Sequence, residues 1–378
     1  MAVESGEKVG VLTSVHSPFD VRIFHKQCKS LARAGYEVTL IVPHGRDEVV
    51  HGVQIKAVPK TGGRISRMTK TVWQVYREAA RLNARLYHFH DPELIPVGLL
   101  LRARRKKVIY DIHEDYPEVI LSKYYLRQWV RRPLRWLMRR FEDFVAHRFS
   151  ALVAATPAIA DRFWKLNART TFIQNFPLEE EMIESCDKRW HDRTASVAYA
   201  GGITAIRGIR EMVKAMGLVR GDLATKLILA GEFSPPNLRE EVACLPGWSR
   251  VEMLGLISRR AVAQLFGNVR AGLVLFLPEP NHVRSQPNKL FEYMSAGIPV
   301  IVSDFPLWRE IVDEAGCGLV VNPLDPQAIA GAIEYLLTHT EEAEAMGRRG
   351  REAVEKKYNW GTEEKKLLAL YEEVLANA

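Results

Sequence analysis

The sequence predicts an α/β protein with two domains, each a doubly wound parallel sheet covered by helices on both faces. Short apolar runs, such as KVGVLT at residues 8–13, alternate with amphipathic segments throughout both halves of the chain, and this alternation is typical of parallel sheets. The runs are continuous, as in IPVIV at residues 298–302, which indicates strands buried on both faces. A length of 378 residues allows each of two domains a core of its own.

The predicted elements fall into two series that meet near residue 178. Strands of the first half are predicted at residues 8–13, 37–42, 53–58, 86–89, 108–112, 151–155 and 171–174. Strands of the second half are predicted at residues 195–200, 226–230, 251–254, 271–277, 298–302 and 318–321. Residues 177–194 are charged and poor in periodicity, so we assign residues 1–178 to the first domain and residues 179–361 to the second.

The composition limits the class of protein. Hydrophobic residues at 47% and charged residues at 26% are ordinary for a soluble globular protein. No apolar run reaches the roughly 20 residues of a membrane span, and the N-terminus lacks the apolar core of a signal peptide, so we expect a cytoplasmic protein. The net charge of +8 indicates an anionic partner. The spacing of the cysteines predicts reduced thiols rather than disulfides or a metal site; they are Cys28, Cys186, Cys244 and Cys317.

Polar side chains follow three predicted strands of the first domain at the points where those strands end. They are His16, Asp20, Arg22, His90, Asp91, His113 and Glu114. Because the carboxyl ends of parallel strands meet at one edge of a sheet, we expect these groups to converge on a ligand site. The first strand is not followed by a GxGxxG turn, which argues against a dinucleotide-dependent dehydrogenase.

A glycine turn follows the first strand of the second domain. In AGGITAIRGI, Gly201 and Gly202 stand between a strand and a helix, where backbone N–H groups and the helix dipole can bind a diphosphate. Arg207 suits a bidentate phosphate contact. Lys289 is the nearest candidate for a second cation.

The segment PNKLFEYM followed by AGIPVIVSDFP, within residues 287–306, resembles the donor-binding segment of family 4 glycosyltransferases with the GT-B fold. The resemblance extends over nearly the whole chain. It implies two Rossmann-like domains that face a central cleft, with the last helix, residues 362–378, packed back on the first domain. It also implies that Glu292 binds the ribose hydroxyls of a sugar nucleotide, and that His90, in HFHDPELIPVG, lies near the donor sugar and the acceptor.

The same resemblance completes the expected site. The expected donor-binding residues are Gly201, Gly202, Arg207, Gly231, Leu256, Lys289, Leu290 and Glu292. The expected catalytic residues are His90, Arg207 and Lys289, and the acceptor-side candidates are His16, Asp20, Arg22, His113 and Glu114. The loop at Leu256 is expected to present backbone groups to the nucleobase, so the base has no side-chain signature; a UDP-sugar is favoured and a GDP-sugar is next. No metal and no cofactor are expected.

The chain departs from the family pattern at two positions. Gly202 stands where the family usually carries an early Arg or Lys. Arg284 stands eight residues before Glu292, where many members carry the first Glu of a Glu-x7-Glu pair that contacts the donor sugar. Glu279 is displaced from that position, so we do not assign it the role.

The predicted function is transfer of a hexose from a nucleotide sugar to a glycan or lipid-linked acceptor, with retention of anomeric configuration implied by the resemblance. Two alternatives stay open. A sugar-nucleotide 2-epimerase of the same fold would use the histidines and carboxylates at the strand ends, and a non-catalytic scaffold at a membrane would account for Gly202 and Arg284. A nucleic-acid partner is not expected, because the basic residues lie on one helix rather than along a groove with stacking aromatics.

The most basic stretch, residues 124–149, predicts a helix that begins at Pro133 and has an apolar stripe. The stripe consists of Leu134, Leu137, Met138, Phe141 and Val145. The surrounding residues are Trp129, Arg131, Arg132, Arg135, Trp136, Arg139 and Arg140. Either this is a solvated basic face, or residues 127–140 bind an anionic membrane surface. Similar enzymes often take lipid-linked acceptors, which favours peripheral attachment to the inner face of the plasma membrane.

Overall fold

The computed structural model describes residues 6–121, 127–178 and 189–376 and divides the chain into two compact units. Unit 1 comprises Met1–Asn175 and Trp360–Ala378, and unit 2 comprises Phe176–Asn359. Cys186, most of the predicted linker and the last two residues of the predicted C-terminal helix lie outside the described residues. Of the other cysteines, all free thiols, two are buried and Cys244 is exposed.

Unit 1 is built on an eight-stranded sheet. Its strands are β1 (Lys8–Leu12), β2 (Glu37–Pro43), β3 (Glu48–Val50), β4 (Val53–Val58), β5 (Leu86–Phe89), β6 (Lys107–Ile112), β7 (Ala151–Ala154) and β8 (Thr170–Phe172). Their order is β3-β4-β2-β1-β5-β6-β7-β8, and every pair is parallel except β3 with β4. The sequence analysis did not predict β3. It pairs with β4 through a two-residue turn in which His51 and Gly52 both have positive φ, the geometry of a tight hairpin.

Unit 2 is built on a six-stranded, wholly parallel sheet. Its strands are β9 (Ser196–Ala200), β10 (Lys226–Ala230), β11 (Val251–Gly255), β12 (Ala271–Val274), β13 (Val300–Ser303) and β14 (Gly318–Val321). Their order is β11-β10-β9-β12-β13-β14. The prediction of an α/β protein with two parallel-sheet domains is therefore confirmed.

Helices connect the strands in both units. They are α1 (Val21–Cys28, π-helical, then Lys29–Arg33), α2 (Arg64–Ser66, Arg67–Thr71 and Val72–Leu82), α3 (Ile95–Ala103), α4 (Tyr116–Leu121), α5 (Gln128–Ala146), α6 (Pro157–Phe163), α7 (Ile209–Leu218), α8 (Leu238–Ala243), α9 (Arg259–Asn268), α10 (Pro280–Val283), α11 (Asn288–Ser295), α12 (Pro306–Ala315), α13 (Pro326–Thr338), α14 (Thr340–Lys356) and α15 (Trp360–Ala376). Within the described ranges, none of them combines the length and the apolar composition of a transmembrane span.

Helix α5 differs from its prediction in two respects. It begins at Gln128, and Pro133 lies inside it rather than at its start. Proline cannot donate to the carbonyl of Trp129, but Trp129 is 72% exposed, so water can reach this end of the helix. The predicted apolar stripe is also not a core face, because Leu134, Leu137 and Phe141 are exposed. The buried positions of the helix include Glu142, Val145 and Ala146.

The core of unit 2 is fixed by contacts between α11 and the centre of its sheet. The fully buried ring of Tyr293 lies over Gly272 of β12, where a Cβ would stand 2.3 Å from the ring. Its hydroxyl donates to the carbonyl of Ala198 and accepts the N–H of Ala200, both at 3.2 Å. These bonds hold α11 against β9, the strand that leads into the glycine turn.

We expect Tyr293→Phe to loosen β9. The change leaves the buried N–H of Ala200 without this acceptor, at a cost of about 1–3 kcal/mol, so the amides of β9 should exchange their hydrogens about 10- to 100-fold faster. Hydrogen exchange read by mass spectrometry on peptides that cover β9 measures the effect. Tyr335→Phe, at a 38% exposed ring, is the matched control; equal exchange in the two variants would contradict the prediction.

Candidate functional site

Unit 2 has a switch point between β9 and β12, where the order of strands in the sheet reverses. Such a point leaves a crevice at the carboxyl edge of an open α/β sheet, the usual place for a ligand. Gly201 and Gly202 follow β9, and residues 275–277 follow β12. The N–H of Leu277 donates to the carbonyl of Ile206 at 2.9 Å, which joins the two loops beside the crevice.

Beside this crevice, two glycines pack directly against main-chain carbonyl groups. Gly231 has a φ of +149°, and a Cβ there would stand 2.0 Å from the carbonyl oxygen of Gly201. Gly208 has a φ of +77°, and a Cβ there would stand 1.9 Å from the carbonyl oxygen of Leu275. Neither position can take a side chain without movement of the main chain. This close packing fixes the turn that precedes α7, and within the turn Gly202 is exposed and can offer its main chain to a phosphate group.

Two cationic side chains lie on the glycine turn. The Nη1 atom of Arg207 donates to the carbonyl oxygen of Gly202 at 3.0 Å, and its guanidinium carbon lies 5.5 Å from the ring centre of Phe276. A Cβ on Gly201 would stand 2.3 Å from the Nζ atom of Lys289, so the ammonium group lies directly against this glycine. Within the described residues, the N–H of Gly202 has no hydrogen-bond acceptor. The turn thus gathers two cations and a backbone donor.

The electrostatics at Lys289 reflect this crowding. Burial, and next the nearby charge of Arg207, lower the pKa of the ammonium group to about 8, while Glu292 opposes the shift. Lys289 and Glu292 are three residues apart on α11, so they lie on one face of the helix. An anion bound between the two cations would remove their repulsion. The arrangement is suited to a diphosphate.

The other predicted residues of unit 2 have different environments. Leu290 is fully buried, and its N–H donates to the carbonyl of Pro287 at 3.1 Å, so its side chain packs in the core rather than facing a ligand. Leu256, 73% exposed, follows β11, whose last residue, Gly255, accepts the N–H of Gly231 at 2.8 Å. Arg284 is exposed at the end of α10.

Unit 1 has its own switch point, between β1 and β5, and Asp91 bridges it. One carboxylate oxygen of Asp91 accepts the hydroxyl of Thr13 at 2.8 Å and the N–H of Ser14 at 2.6 Å. His16 lies between two carboxylates, 3.4 Å from Asp20 and 3.4 Å from Asp91. Burial lowers the pKa of His16, but the two carboxylates together outweigh it, and the pKa is raised.

The centre of unit 1 is Asp111, in the last part of β6, which the sequence analysis did not single out. Its carboxylate is fully buried and accepts from Arg22 at 2.9 Å and from Gln27 at 2.7 Å. Burial raises the pKa of this carboxyl group, but Arg22, His113 and His90 together outweigh burial and hold the pKa well below the usual range. Arg22 also donates to the carbonyl of Ile173 at 2.8 Å. The predicted acceptor-side residue Arg22 is thus engaged inside the protein.

Three histidines lie around this carboxylate. His88 and His90 are fully buried, and burial lowers the pKa of both. The Nδ1 atom of His90 is 3.0 Å from the Nε2 atom of His113, whose side chain is 16% exposed. His113, and not His90, is therefore the imidazole of this pair that a ligand can reach. Glu114, the next residue, is exposed.

His88, His90 and Asp111 each offer one ligand atom, and these atoms lie within 4.8 Å of one another. Composition alone would suit a metal ion such as zinc. However, Arg22 donates to both oxygens of Asp111, at 2.9 Å and 3.1 Å. A divalent cation at this place would stand beside a buried guanidinium with one carboxylate to balance both charges. These residues do not fit a metal ion while Arg22 holds Asp111.

A signal in the sequence could have identified Asp111. It is a carboxylate within the run KVIYDI, which otherwise reads as a buried strand, and a buried carboxylate needs a partner. The partners, Arg22 and Gln27, lie far away along the chain, so their pairing becomes visible only in the folded unit.

Two family models match this chain. "Glycosyltransferase Family 4" matches residues 21–176, and "Glycosyl transferases group 1" matches residues 194–339. The chain belongs to the family 4-type glycosyltransferases of the GT-B fold. The resemblance indicated by the segment at residues 287–306 is therefore confirmed.

Relatives of this glycosyltransferase family differ in how much of the chain they match. D-rhamnosyltransferase WbpZ of Pseudomonas aeruginosa is 26% identical over 321 residues, 82% of this chain and 77% of WbpZ. For four other curated relatives, the chain spans less than half of their length.

Solved structures show the same fold. Sucrose-phosphate synthase from Thermosynechococcus elongatus has a TM-score of 0.76 at 18% identity, with 98% of this chain and 100% of that chain covered. Anabaena HepE in complex with UDP and glucose has a TM-score of 0.72 at 15% identity, with 97% of this chain and 100% of that chain covered.

We expect unit 1 to lose stability as the pH falls from about 7.5 to about 5.5. Folding lowers the pKa of His88 and His90 below the value of about 6.5 that an unfolded histidine has. The unfolded state therefore binds more protons in this window, so the free energy of unfolding falls with pH. His16, whose pKa is raised by folding, acts in the opposite sense.

Urea denaturation of the full chain at the two pH values, with pulse-labelling hydrogen exchange at one fixed pH, measures this change on peptides of unit 1. The His16→Asn variant removes the opposing contribution and should show a steeper loss. A denaturation midpoint for unit 1 that stays constant or rises in acid would contradict the prediction.

Proposed function

We propose that this protein is a glycosyltransferase that moves a hexose from a nucleotide sugar to a glycan or a lipid-linked acceptor. The observation that carries the proposal is the set of groups on the glycine turn of unit 2. Arg207, Lys289 and the N–H of Gly202 lie together at a switch point, and the charges of the two cations repel each other there. A nucleoside diphosphate would bring negative charge to this pair of cations.

The chemistry of glycosyl transfer suits these groups. Cleavage of the anomeric C–O bond develops oxocarbenium character in the sugar and negative charge on the departing diphosphate. Fixed cations and an oriented N–H stabilise that charge as it forms, and the acceptor hydroxyl needs to be aligned with the anomeric carbon. Arg207 and Lys289 perform the first task without a metal ion. We therefore propose a metal-independent transferase, and retention of configuration follows from the family resemblance.

The donor is proposed to be a UDP-sugar, with a GDP-sugar as the next choice. HepE, of the same fold, has been solved in complex with UDP and glucose. Glu292 follows Lys289 by three residues on α11 and is half-buried, so we propose that it accepts hydrogen bonds from the ribose hydroxyls. The exposed loop at Leu256 is proposed to meet the nucleobase through its backbone.

The epimerase alternative is less well supported by the geometry of unit 1. Proton abstraction needs a carboxylate or imidazole that is free to act as a base. Asp91 accepts bonds from Thr13 and Ser14, and Asp111 accepts bonds from Arg22 and Gln27. These carboxylates already have partners within the protein. The scaffold alternative would require neither cation on the glycine turn.

We expect calorimetry to show selective binding of UDP among UDP, GDP, ADP and dTDP, with equal affinity in magnesium and in EDTA. Glu292→Ala should weaken UDP binding about 10- to 100-fold, because it removes charged hydrogen bonds of about 1.5–3 kcal/mol. Glu310→Ala, at an exposed glutamate of α12, is the matched control and should bind as the wild type does. Wild-type affinity in Glu292→Ala would remove the assignment.

The pH dependence of the same titration tests Lys289. UDP affinity should fall as the pH rises from about 7 to about 9, because the ammonium group, with a pKa of about 8, loses its proton in this window. Lys289→Met should bind weakly at both pH values. A wild-type affinity that is constant up to about pH 9 would show that Lys289 does not contact the diphosphate.

A lipid-linked acceptor would be met at a membrane, and α5 offers a surface of suitable chemistry. Its exposed face, the α5 face, carries large apolar side chains between arginines. The apolar members, with their exposed fractions, are Trp129 (72%), Leu134 (36%), Trp136 (63%), Leu137 (59%), Phe141 (40%) and Phe144 (57%). The exposed arginines of the helix are Arg132, Arg139 and Arg140. Tryptophan, leucine and arginine in one helical surface are typical of a helix that lies in the interface of an anionic bilayer.

Contacts on the inner side of α5 hold the helix in place. Arg135 is paired with Glu118 of α4, and the buried Glu142 is 2.7 Å from Arg162 of α6. Burial raises the pKa of Glu142 to about 7, against the opposing charge of Arg162. These two pairs belong to the fold of unit 1, so a test of membrane binding has to spare them. Arg132, Arg139 and Arg140 remain available for lipid headgroups.

We expect the protein to co-sediment with vesicles that contain phosphatidylglycerol, and to be released by salt. Neutralising Arg132, Arg139 and Arg140 together to Gln should weaken binding about 100-fold, since each basic residue near an anionic leaflet contributes about 1 kcal/mol. The control is Arg239→Gln, Arg260→Gln and Arg348→Gln, three exposed arginines of unit 2 with the same change in charge. Equal sedimentation of the two triple variants would exclude the α5 face as the membrane surface.

A further inference from the structure

His90 contacts two groups through one ring nitrogen. Its Nδ1 atom lies 3.0 Å from the Nε2 atom of His113 and 3.4 Å from a carboxylate oxygen of Asp111. Its other nitrogen, Nε2, is buried and has no hydrogen-bond partner among the described residues. Neutral imidazole has one N–H donor and one lone-pair acceptor. The ring nitrogen of His90 that carries the proton therefore decides which ring nitrogen of a neutral His113 carries its own proton.

Two arrangements of this proton are possible. In the first, the Nδ1–H of His90 donates to the Nε2 lone pair of His113, and a neutral His113 carries its proton on Nδ1. In the second, the Nε2–H of His113 donates to His90, and a neutral His90 carries its proton on Nε2. The choice between them rests on the surroundings of His90.

The surroundings favour the first arrangement. In the second, the Nδ1 lone pair of His90 would face the ionised carboxylate of Asp111 at 3.4 Å, and a buried N–H would have no acceptor. A buried N–H without an acceptor costs free energy, because the hydration that it loses is not replaced. In the first, the N–H lies beside the carboxylate, and the lone pair of His113 is farther from Asp111, at 3.7 Å. Asp111 cannot turn away, because Arg22 and Gln27 bond to it.

We propose that His90 is a positioning residue that holds His113 in the tautomer with its proton on Nδ1. His113 then presents an N–H donor, rather than a base, at the carboxyl edge of unit 1. Within the described part of the chain, its Nδ1 atom has no hydrogen-bond partner. The group that suits it is an oxygen acceptor of a sugar, such as a hydroxyl or ring oxygen. That ligand rests on the proposed transferase function, whereas the tautomer does not.

The tautomer can be measured directly on the full chain labelled with 15N-histidine, without substrate. Two-bond nitrogen–proton correlation spectra at about pH 8, above the pKa of about 6.5 of an ordinary histidine, distinguish a protonated from an unprotonated ring nitrogen. The signals of His113 are identified by their loss in His113→Asn. We expect wild-type His113 to carry its proton on Nδ1. A proton on Nε2 would overturn the proposal without any bearing on donor binding.

Two variants of His90 separate positioning from packing. The amide nitrogen of His90→Asn can take the place of Nδ1 and donate to His113, whereas the longer side chain of His90→Gln places its amide near the position of Nε2. We expect the asparagine variant to keep the Nδ1–H tautomer of His113 and the glutamine variant to lose it, with thermal unfolding used to confirm that both fold. An unchanged tautomer in His90→Gln would overturn the positioning role.

The role of His113 as a donor has its own test. The amide nitrogen of His113→Asn lies where Nδ1 lies in histidine, and that of His113→Gln lies nearer to Nε2. We expect kcat/KM for sugar transfer to be at least tenfold higher in the asparagine variant than in the glutamine variant, at equal UDP affinity. The reverse order would overturn the donor role. Loss of UDP binding in the wild type would instead overturn the proposed function and leave the tautomer result intact.

Discussion

The order of strands in each sheet determines where each unit can bind a ligand. The carboxyl ends of the parallel strands meet at one edge of the sheet, and the strand order reverses at one point along it. In unit 1 the reversal lies between β1 and β5, and Thr13 and Asp91 meet across it at 2.8 Å. In unit 2 it lies between β9 and β12, and Ile206 and Leu277 are joined beside it at 2.9 Å. A crevice at each reversal follows from the direction of the crossover helices. The topology therefore fixes the place of the chemistry, and the side chains decide its kind.

The two switch points differ in whether their charged side chains are balanced within the protein. In unit 1 the buried carboxylate of Asp111 has its counterion, Arg22, within the protein, so the site is balanced before a ligand arrives. In unit 2 the cations Arg207 and Lys289 lie near each other, and the pKa of Lys289 is lowered to about 8, first by burial and then by Arg207. Like charges held together reduce the free energy of unfolding, and a bound anion would restore it. An anionic group would therefore relieve a repulsion in unit 2, and the Asp111–Arg22 pair of unit 1 has no such need.

The sequence was sufficient for features that depend on neighbouring residues, and insufficient for those that depend on distant ones. The glycine turn at Gly201 and the strands beside it follow from local pattern, because a continuous apolar run and a glycine leave few alternatives. The burial of His90 could not be predicted, because it depends on residues that are distant in the sequence. Tyr371 and Asp111 both contact His88, the imidazole next to His90. The hairpin strand β3 escaped prediction because its turn has His51, rather than Asn, Asp or Gly, before Gly52.

Periodicity also identifies an amphipathic helix without identifying what covers its apolar side. Leu134, Leu137 and Phe141 have the spacing of a core stripe, yet α5 exposes them and buries Glu142. Exposed apolar area forgoes about 25 cal/mol per Å² of stabilisation, so folding alone gives no reason for this orientation. The apolar interior of a membrane that covers the α5 face would recover that free energy. The arginines around the face suit an anionic membrane surface. They also account for part of the net charge of +8 that the two cations of the glycine turn do not explain.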